Sequence, residues 1–373
     1  MSKIVIIGLT RNHHSLYILF SNLLRENIKK QIVLYILEKE SKNFAELKLQ
    51  KDVCVKQVKD SSAKTIKTIL KTVTKTDTLI MDEFYGQHKY LIFTRFYAQK
   101  KILFIHNANK YYCPRLKYDP RRIIEGWSKN KFIKRFDSII SMGPNIRDYI
   151  KDIGEQRPIF YFPFDQPQTK TTSIDKKKER IEIVIPGMIS QSRRNYIDLL
   201  EALELFYCQF PKSIVFFIFL GRVVNKTDDF ILKKVDEINS RFGKKIKYFT
   251  TFVPLEEFEK SLTSCDFILS NVHVYNNLKD RIEIYGVTKE SGVSFTIYKY
   301  NKPAIVPESQ HILAGFDTQL IKFSKYDELF DIFKRIENGY FDIDKLRKEA
   351  LINQTRFNEK VTVIKEKIIQ YII

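Results

Sequence analysis

The stretch IVIPGMISQSRRNYIDLLEALELF spans Ile183–Phe206 of a 373-residue chain. An apolar run stops at Pro186-Gly187, a short polar loop carries Arg193 and Arg194, and an amphipathic segment follows. This is the pattern of a buried strand handing over to a helix. Ligands of open α/β sheets sit at the carboxyl ends of the strands, where the two arginines fall. A guanidinium is a planar fork matched to phosphate oxygens, and a helix N-terminus offers unpaired N–H groups. Cations in a first helical turn oppose the dipole, at about 0.3–1 kcal/mol each when exposed. A bound anion removes that cost, so the pair is read as a phosphate grip; solvated surface arginines are the alternative.

The same alternation extends in both directions. Upstream, KIVIIG, QIVLYIL, DTLIMDEF, KILFIHN and FDSIISMG read as buried strands, with helical periodicity between them. Here KYLIFTRFYAQK is expected to be helical, and PNIRDYIKDIG has Pro at its start and Gly at its end. Continuously apolar strands separated by helices indicate parallel sheets covered on both faces. Between Phe164 and Arg180 the chain is polar and aperiodic, as a linker is. After Ile181 the alternation restarts. The expected division is an N-terminal domain over 1–165, a linker over 166–180, a second domain over 181–335, and C-terminal helices over 336–373 that pack back toward the first domain. Two doubly wound domains so joined leave a cleft between them.

A second strand-to-helix turn carries polar groups. In YGVTKESGVSFTIYKYNKPAIVP (Tyr285–Pro307), a loop with Lys289, Ser291 and Gly292 leads into a helix and then into a strand opened by Pro303. Gly292 permits close backbone approach. The N–H groups from Val293 onward can point at a diphosphate, and Lys289 can neutralise its charge. A serine-glycine pair at a helix start is also an ordinary cap.

With these residues in view, the chain resembles bacterial glycosyltransferases of the GT-B fold, of the type that builds surface polysaccharide, lipopolysaccharide or capsule. The resemblance covers most of residues 181–310. It rests on VIPGMISQSRRNYIDLLEAL, on FVPLEEFEKSLTSCDFILSNV, and on TKESGVSFTIYKYNKPAIVP. The first half is similar more loosely, through IIGL, LFIHN and FDSIISMG. The resemblance implies a GT-B-like α/β fold, two doubly wound Rossmann-like domains facing each other across a cleft. It implies sugar transfer from a nucleotide-diphosphate sugar to a hydroxyl of a glycan or lipid-linked glycan. Gly187, Arg193, Arg194, Lys289, Ser291, Gly292, Val293 and Thr296 would bind the donor. Many retaining members carry two glutamates eight positions apart in the last motif; Thr288 and Thr296 stand there in this chain. Retaining and inverting outcomes both stay open.

The first domain then takes the acceptor. Its strand ends offer His13 and His14, Asp82 and Glu83, and His106 with Asn107. Inversion needs a general base, a task histidine or a carboxylate can perform. His13 or His14 would be that base, and His106 is similar to a family histidine that contacts the sugar. Each is equally read as a structural side chain. No metal and no further cofactor is expected, because Arg193, Arg194 and Lys289 can stabilise the departing diphosphate.

The composition bounds the partners. Formal net charge is +20, and residues 1–165 carry 31 basic against 16 acidic residues. A basic surface attracts phosphorylated ligands, anionic lipid or nucleic acid. Within Lys110–Phe136, nine basic residues interleave with Tyr111, Tyr112, Trp127, Phe132 and Phe136. The pattern suits an anionic membrane surface. An acceptor-domain excursion with its aromatics turned inward fits it as well. The four cysteines are widely spaced, and no apolar run reaches the roughly 18 residues of a span. The expectation is a cytoplasmic protein, at most peripheral on the inner face of the membrane, with no specific nucleic-acid partner. A transferase of polyol phosphates, or a basic nucleic-acid- or membrane-binding protein on a degenerate transferase fold, are the alternatives.

Overall fold

The computed structural model describes residues 2–9, 14–40, 52–83, 86–112, 120–162, 180–278 and 281–373. The chain divides into two compact units. Unit 1 comprises Met1–Asp165, Asn277–Glu290 and Glu359–Ile373; unit 2 comprises Gln166–Asn276 and Ser291–Asn358. The alternation of strands and helices assigns 277–290 to the second domain, whereas here they belong to unit 1. All of the linker expected over 166–180 except Arg180 lies outside the described residues.

Unit 1 is built on seven parallel strands: β1 (Lys3–Gly8), β2 (Gln31–Leu37), β3 (Cys54–Val58), β4 (Thr78–Met81), β5 (Lys100–Ile105), β6 (Ser138–Ser141) and β7 (Ile159–Tyr161). Their order is β3-β2-β1-β4-β5-β6-β7. The helices between them are α1 (His14–Asn27), α2 (Ala63–Leu70), α3 (His88–Leu91), α4 (Pro120–Ile133) and α5 (Pro144–Asp152). The central strands are buried throughout because both sheet faces are covered. The outer strand β3 buries none of its residues fully, so no apolar run announces it. The expected helix over KYLIFTRFYAQK shrinks to the single turn of α3. Its last residue, Leu91, and Ile92 after it are buried, and Phe93 and Tyr97 are exposed.

Unit 2 repeats the plan with β8 (Ile181–Pro186), α6 (Tyr196–Gln209), β9 (Val215–Leu220), α7 (Asp229–Phe242), β10 (Ile246–Tyr248), α8 (Leu255–Ser264) and β11 (Phe267–Leu269). The short strands β12 (Tyr275–Asn277) and β13 (Ile282–Ile284) come next in the chain. They are followed by α9 (Gly292–Tyr300), β14 (Ala304–Pro307), β15 (Leu320–Phe323), α10 (Glu328–Glu337) and α11 (Ile343–Ile372). The six-stranded parallel sheet runs β10-β9-β8-β11-β14-β15. In both sheets the first strand of the unit sits inside the order, and the crossover direction reverses there. Such a reversal opens a crevice at the carboxyl edge.

Helix α11 serves both units. Phe357 packs edge-to-face on Tyr298 of unit 2, with centroids 4.9 Å apart. Ile368, Ile369 and Ile372 belong to the core of unit 1, where Tyr371 packs against Phe160 at 5.2 Å.

The turn after β9 packs backbone directly against backbone. A Cβ placed on Gly221 would lie 2.0 Å from the Gly187 carbonyl oxygen and 2.6 Å from its carbon. Both partners are backbone atoms, held by Gly187 N–H donating to Leu220 O (3.0 Å) and Ile189 N–H to Arg222 O (3.0 Å). Gly221→Ala is therefore expected to destabilise unit 2 by about 2 kcal/mol or more. Urea unfolding followed by tyrosine fluorescence checks this; an unshifted midpoint would show that the two turns are not nested.

Candidate active site

In unit 2 the sequence-predicted residues gather at the carboxyl edge of the sheet. Gly187 follows β8 with φ +108°, a left-handed conformation that glycine adopts without steric cost. The space a side chain would fill is taken by Arg194, whose Nη2 lies 2.3 Å from the position of a Cβ on Gly187. Arg194 is fixed by its backbone: its N–H donates to Ser190 O (3.0 Å), and it forms an antiparallel bridge with Val272. Its guanidinium has a neutral partner, Asn271 Oδ1 at 3.4 Å. Arg193 precedes it in the same turn with its side chain exposed. Among the described residues no carboxylate pairs with either arginine.

The structure changes one part of the expected grip. Helix α6 starts at Tyr196, so both arginines stand before the N-cap Asn195, outside the first turn. The first-turn donors are already occupied. Gln191 Oε1 accepts from Tyr196 N–H (2.9 Å) and Ile197 N–H (3.1 Å), and Asn195 Oδ1 accepts from Asp198 N–H (3.3 Å). The penalty expected for cations inside the helix dipole therefore does not arise. Any anion at this turn is held by the side chains over Gly187, not by the end of α6.

The other strand-to-helix turn differs. Helix α9 follows β11 and precedes β14, so in this parallel sheet its N-terminus lies at the same carboxyl edge as Gly187. Ser291 is its N-cap, with Oγ accepting from Val293 N–H at 3.2 Å. Nothing lies within 4 Å of where a Gly292 Cβ would stand, which leaves the backbone open to close approach. Thr296 donates its hydroxyl to Gly292 O (2.9 Å) and keeps its lone pairs for another donor. Lys289 belongs to unit 1 and is committed there: its ammonium lies 3.0 Å from Glu283 Oε2, while Arg281 holds Oε1 at 2.9 Å.

Unit 1 brings a second group together. Asp82 and His106 follow the neighbouring parallel strands β4 and β5, so their side chains meet at one edge. His106 Nε2 lies 2.5 Å from Asp82 Oδ1, and Tyr17 donates its hydroxyl to Oδ2. Burial works against charge on the imidazole, but the adjoining Asp82 carboxylate outweighs it and holds the His106 pKa above its ordinary value. The shift favours the charged imidazole, which donates hydrogen bonds. Glu83 lies 3.8 Å from Lys110, and both are buried; burial lowers the Lys110 pKa. Asn107 donates to Glu283 Oε1 (2.7 Å) and bridges Lys289, and the Ala108 N–H reaches Thr288 O (2.8 Å). Thr288, at the first of the two family glutamate positions, thus serves a turn, its Oγ1 accepting from Ile284 N–H (2.9 Å). His13 and the side chain of His14 lie outside the described residues.

Glu290 escaped the sequence reading, although it stands between Lys289 and Ser291 in the quoted motif. Its carboxyl is buried on Gly143, the residue before α5, where a Cβ would come within 2.1 Å of Oε1. Neither oxygen has a hydrogen-bond partner among the described residues. Burial alone pushes its pKa up to about 8. The only signal in the sequence was position, a carboxylate one residue ahead of a helix cap.

Two measurements follow. The raised His106 pKa stabilises unit 1 fully below about 6.5, a contribution that fades as pH climbs through the folded-state value. Asp82→Asn is expected to lower the imidazole titration midpoint, followed by NMR; an unmoved midpoint would rule the pairing out. Glu290 works in the opposite sense. The folded chain keeps a proton that the unfolded chain releases above about 4.5, so stability falls between about pH 4.5 and pH 8. Glu290→Gln should raise the melting temperature, and by more at pH 8 than at pH 5; a pH-independent change would exclude a protonated Glu290.

No known family profile matches the chain, and no curated protein sequence matches it. Solved structures do. HepE of Anabaena, in complex with UDP, superposes with a TM-score of 0.67 at 12% identity, covering 99% of each chain. The UDP-forming α,α-trehalose-phosphate synthase of Burkholderia vietnamiensis gives 0.65 at 10% identity, over 100% of this chain and 97% of that one. A glycosyltransferase of Rickettsia africae gives 0.63 at 10% identity, with coverage of 100% and 97%. At such identities the likeness shows the fold: an α/β chain with two Rossmann-like units, as in GT-B glycosyltransferases.

Proposed function

We propose that this chain is a glycosyltransferase that moves a sugar from a nucleotide-diphosphate sugar to a hydroxyl of a glycan or lipid-linked glycan acceptor during surface-polysaccharide synthesis. The observation that carries the reading is Arg194 laid over Gly187 at the carboxyl edge of the unit 2 sheet, with a neutral protein partner and an exposed arginine beside it. Two guanidinium groups with no carboxylate partner among the described residues leave their charge for an anion. The open backbone at Gly292 and the N-terminus of α9 supply neutral donors at the same edge. UDP is the first nucleotide to test, since it is the one bound in HepE and formed by the trehalose-phosphate synthases.

In this reading the arginines bind the diphosphate and stabilise its growing charge as the glycosidic bond breaks. Thr296 accepts a hydroxyl of the nucleotide sugar. On the acceptor side, His106, oriented by Asp82, which Tyr17 holds in turn, donates to a sugar hydroxyl. Lys289, neutralised by Glu283, positions Asn107 rather than meeting phosphate directly.

Titration calorimetry with UDP and UDP-sugars tests the proposal. Arg194→Ala should weaken nucleotide-diphosphate binding tenfold or more, a loss of at least about 1.4 kcal/mol, and uridine binding far less. Saturable UDP binding unchanged in Arg193→Ala, Arg194→Ala and the double variant would refute the site.

A further inference from the structure

The exposed aromatic side chains of unit 1 fall on two adjoining elements. Among the described residues they are Tyr90, Phe93, Tyr97 and Trp127, at 57%, 80%, 43% and 48% exposure. Tyr90, Phe93 and Tyr97 lie on α3 and the chain after it, and Trp127 lies on α4 beside the exposed Ile123 and Ile124. These two elements are packed together. Phe96 sits against Phe132 (6.3 Å) and Phe136 (5.7 Å), and Arg135 covers the Phe96 ring at 4.6 Å while donating to Ile92 O. The junction buries Leu91, Ile92, Phe132 and Phe136 and turns the other rings outward. Part of the basic-aromatic stretch read from sequence is therefore internal: Tyr111, Phe132, Phe136, Lys110 and Lys129 are all buried. The outward surface is instead built from the outer side of α4 and the segment after α3.

Its charge is nearly all of one sign. Lys89, Arg95, Arg121, Lys131 and Lys134 are exposed on these elements, whereas Glu125, the one acidic residue in 86–112 and 120–136, is paired with Lys129 at 2.7 Å. Lys89 lies over the Tyr90 ring at 5.0 Å, and Lys131 over Trp127 at 4.7 Å, so cations flank the exposed rings. We propose that this surface docks the protein on an anionic lipid bilayer, with Phe93, Trp127 and Ile124 entering the headgroup boundary and Lys89, Arg95, Lys131 and Lys134 meeting lipid phosphates. The inference rests on the proposed transfer to a glycan acceptor and adds that this acceptor is presented at a membrane.

Exposed isoleucines beside the rings select lipid over nucleic acid, because an aliphatic side chain gains from hydrocarbon but offers no stacking face to a base. The uniform charge disfavours a second copy, since a two-fold contact would set like charges against each other. Basic residues at an anionic surface and apolar insertion beside them add to one another.

Cosedimentation of the full chain with vesicles tests this. Vesicles of phosphatidylcholine with about one third phosphatidylglycerol, in about 0.1 M salt, should retain the protein, and pure phosphatidylcholine should not. Phe93→Ser with Trp127→Ser, and separately Lys89→Glu with Lys131→Glu, should each lower partitioning about tenfold. Both variants should keep the thermal shift produced by UDP, which shows that they fold. No retention on anionic vesicles, equal retention on neutral ones, or undiminished retention of both variants would overturn the proposal. So would binding to a single-stranded oligonucleotide, or self-association, without vesicle binding. Absence of UDP binding with intact, variant-sensitive vesicle binding would fail the transferase reading and leave the docking surface standing.

Discussion

A missing side chain organises unit 2. Gly187 ends β8 in a left-handed conformation, and the volume its side chain would have filled holds the Arg194 guanidinium. Its carbonyl in turn fits where Gly221 has no Cβ. Two successive contacts thus depend on two glycines, and they place a cation at the carboxyl edge with no carboxylate partner among the described residues. An arginine held by a carboxylate would arrive already neutralised. One held by backbone geometry and the oxygen of Asn271 retains its charge for a ligand. This explains why a helix end is not needed at that turn and why Gln191 can close it.

Unit 1 follows different electrostatics. Its carboxyl edge is crowded with opposite charges: Asp82 with His106, Glu83 with Lys110, and Glu283 with Lys289 and Arg281. Pairs of this kind contribute little net stability, since desolvation offsets most of their attraction, but losing one partner is costly. They suit an edge where hydroxyl groups must be met by donors and acceptors in fixed orientation. Under the proposed transfer, such an array would match a neutral polyhydroxylic acceptor, and the diphosphate would fall to the unbalanced cations of unit 2.

The architecture was legible because buried parallel strands write themselves as unbroken apolar runs, as in Ile4–Ile7 and Ile32–Leu37. Edge strands do not. In β3 the residues Val55, Lys56 and Gln57 are exposed, and its alternation is too weak to read. β7 and β15, also at sheet edges, are only three and four residues long. The segment after α3 was misread as helix because its apolar residues have helical spacing, yet two of them face outward and tertiary packing on α4 sets the conformation. Strand-end residues such as Asp82, His106 and Arg194 could be located, because β-strand endings are sharp in sequence. Their partners could not: Glu283 reaches Asn107 across 176 residues. Glu290 was passed over because nothing local marks a carboxyl that will be stripped of water by Gly143.

The sharing of α11 between the units has a consequence for biosynthesis. Unit 2 holds no residue later than Asn358, so its contacts can all form once that position has left the ribosome. Unit 1 supplies the first strand of the chain yet takes Ile368, Ile369 and Ile372 into its core. The part translated first is therefore completed last, and until then its sheet has an uncovered apolar surface of the kind chaperones bind. A gene split between 165 and 166 would leave that surface open permanently in the amino-terminal fragment.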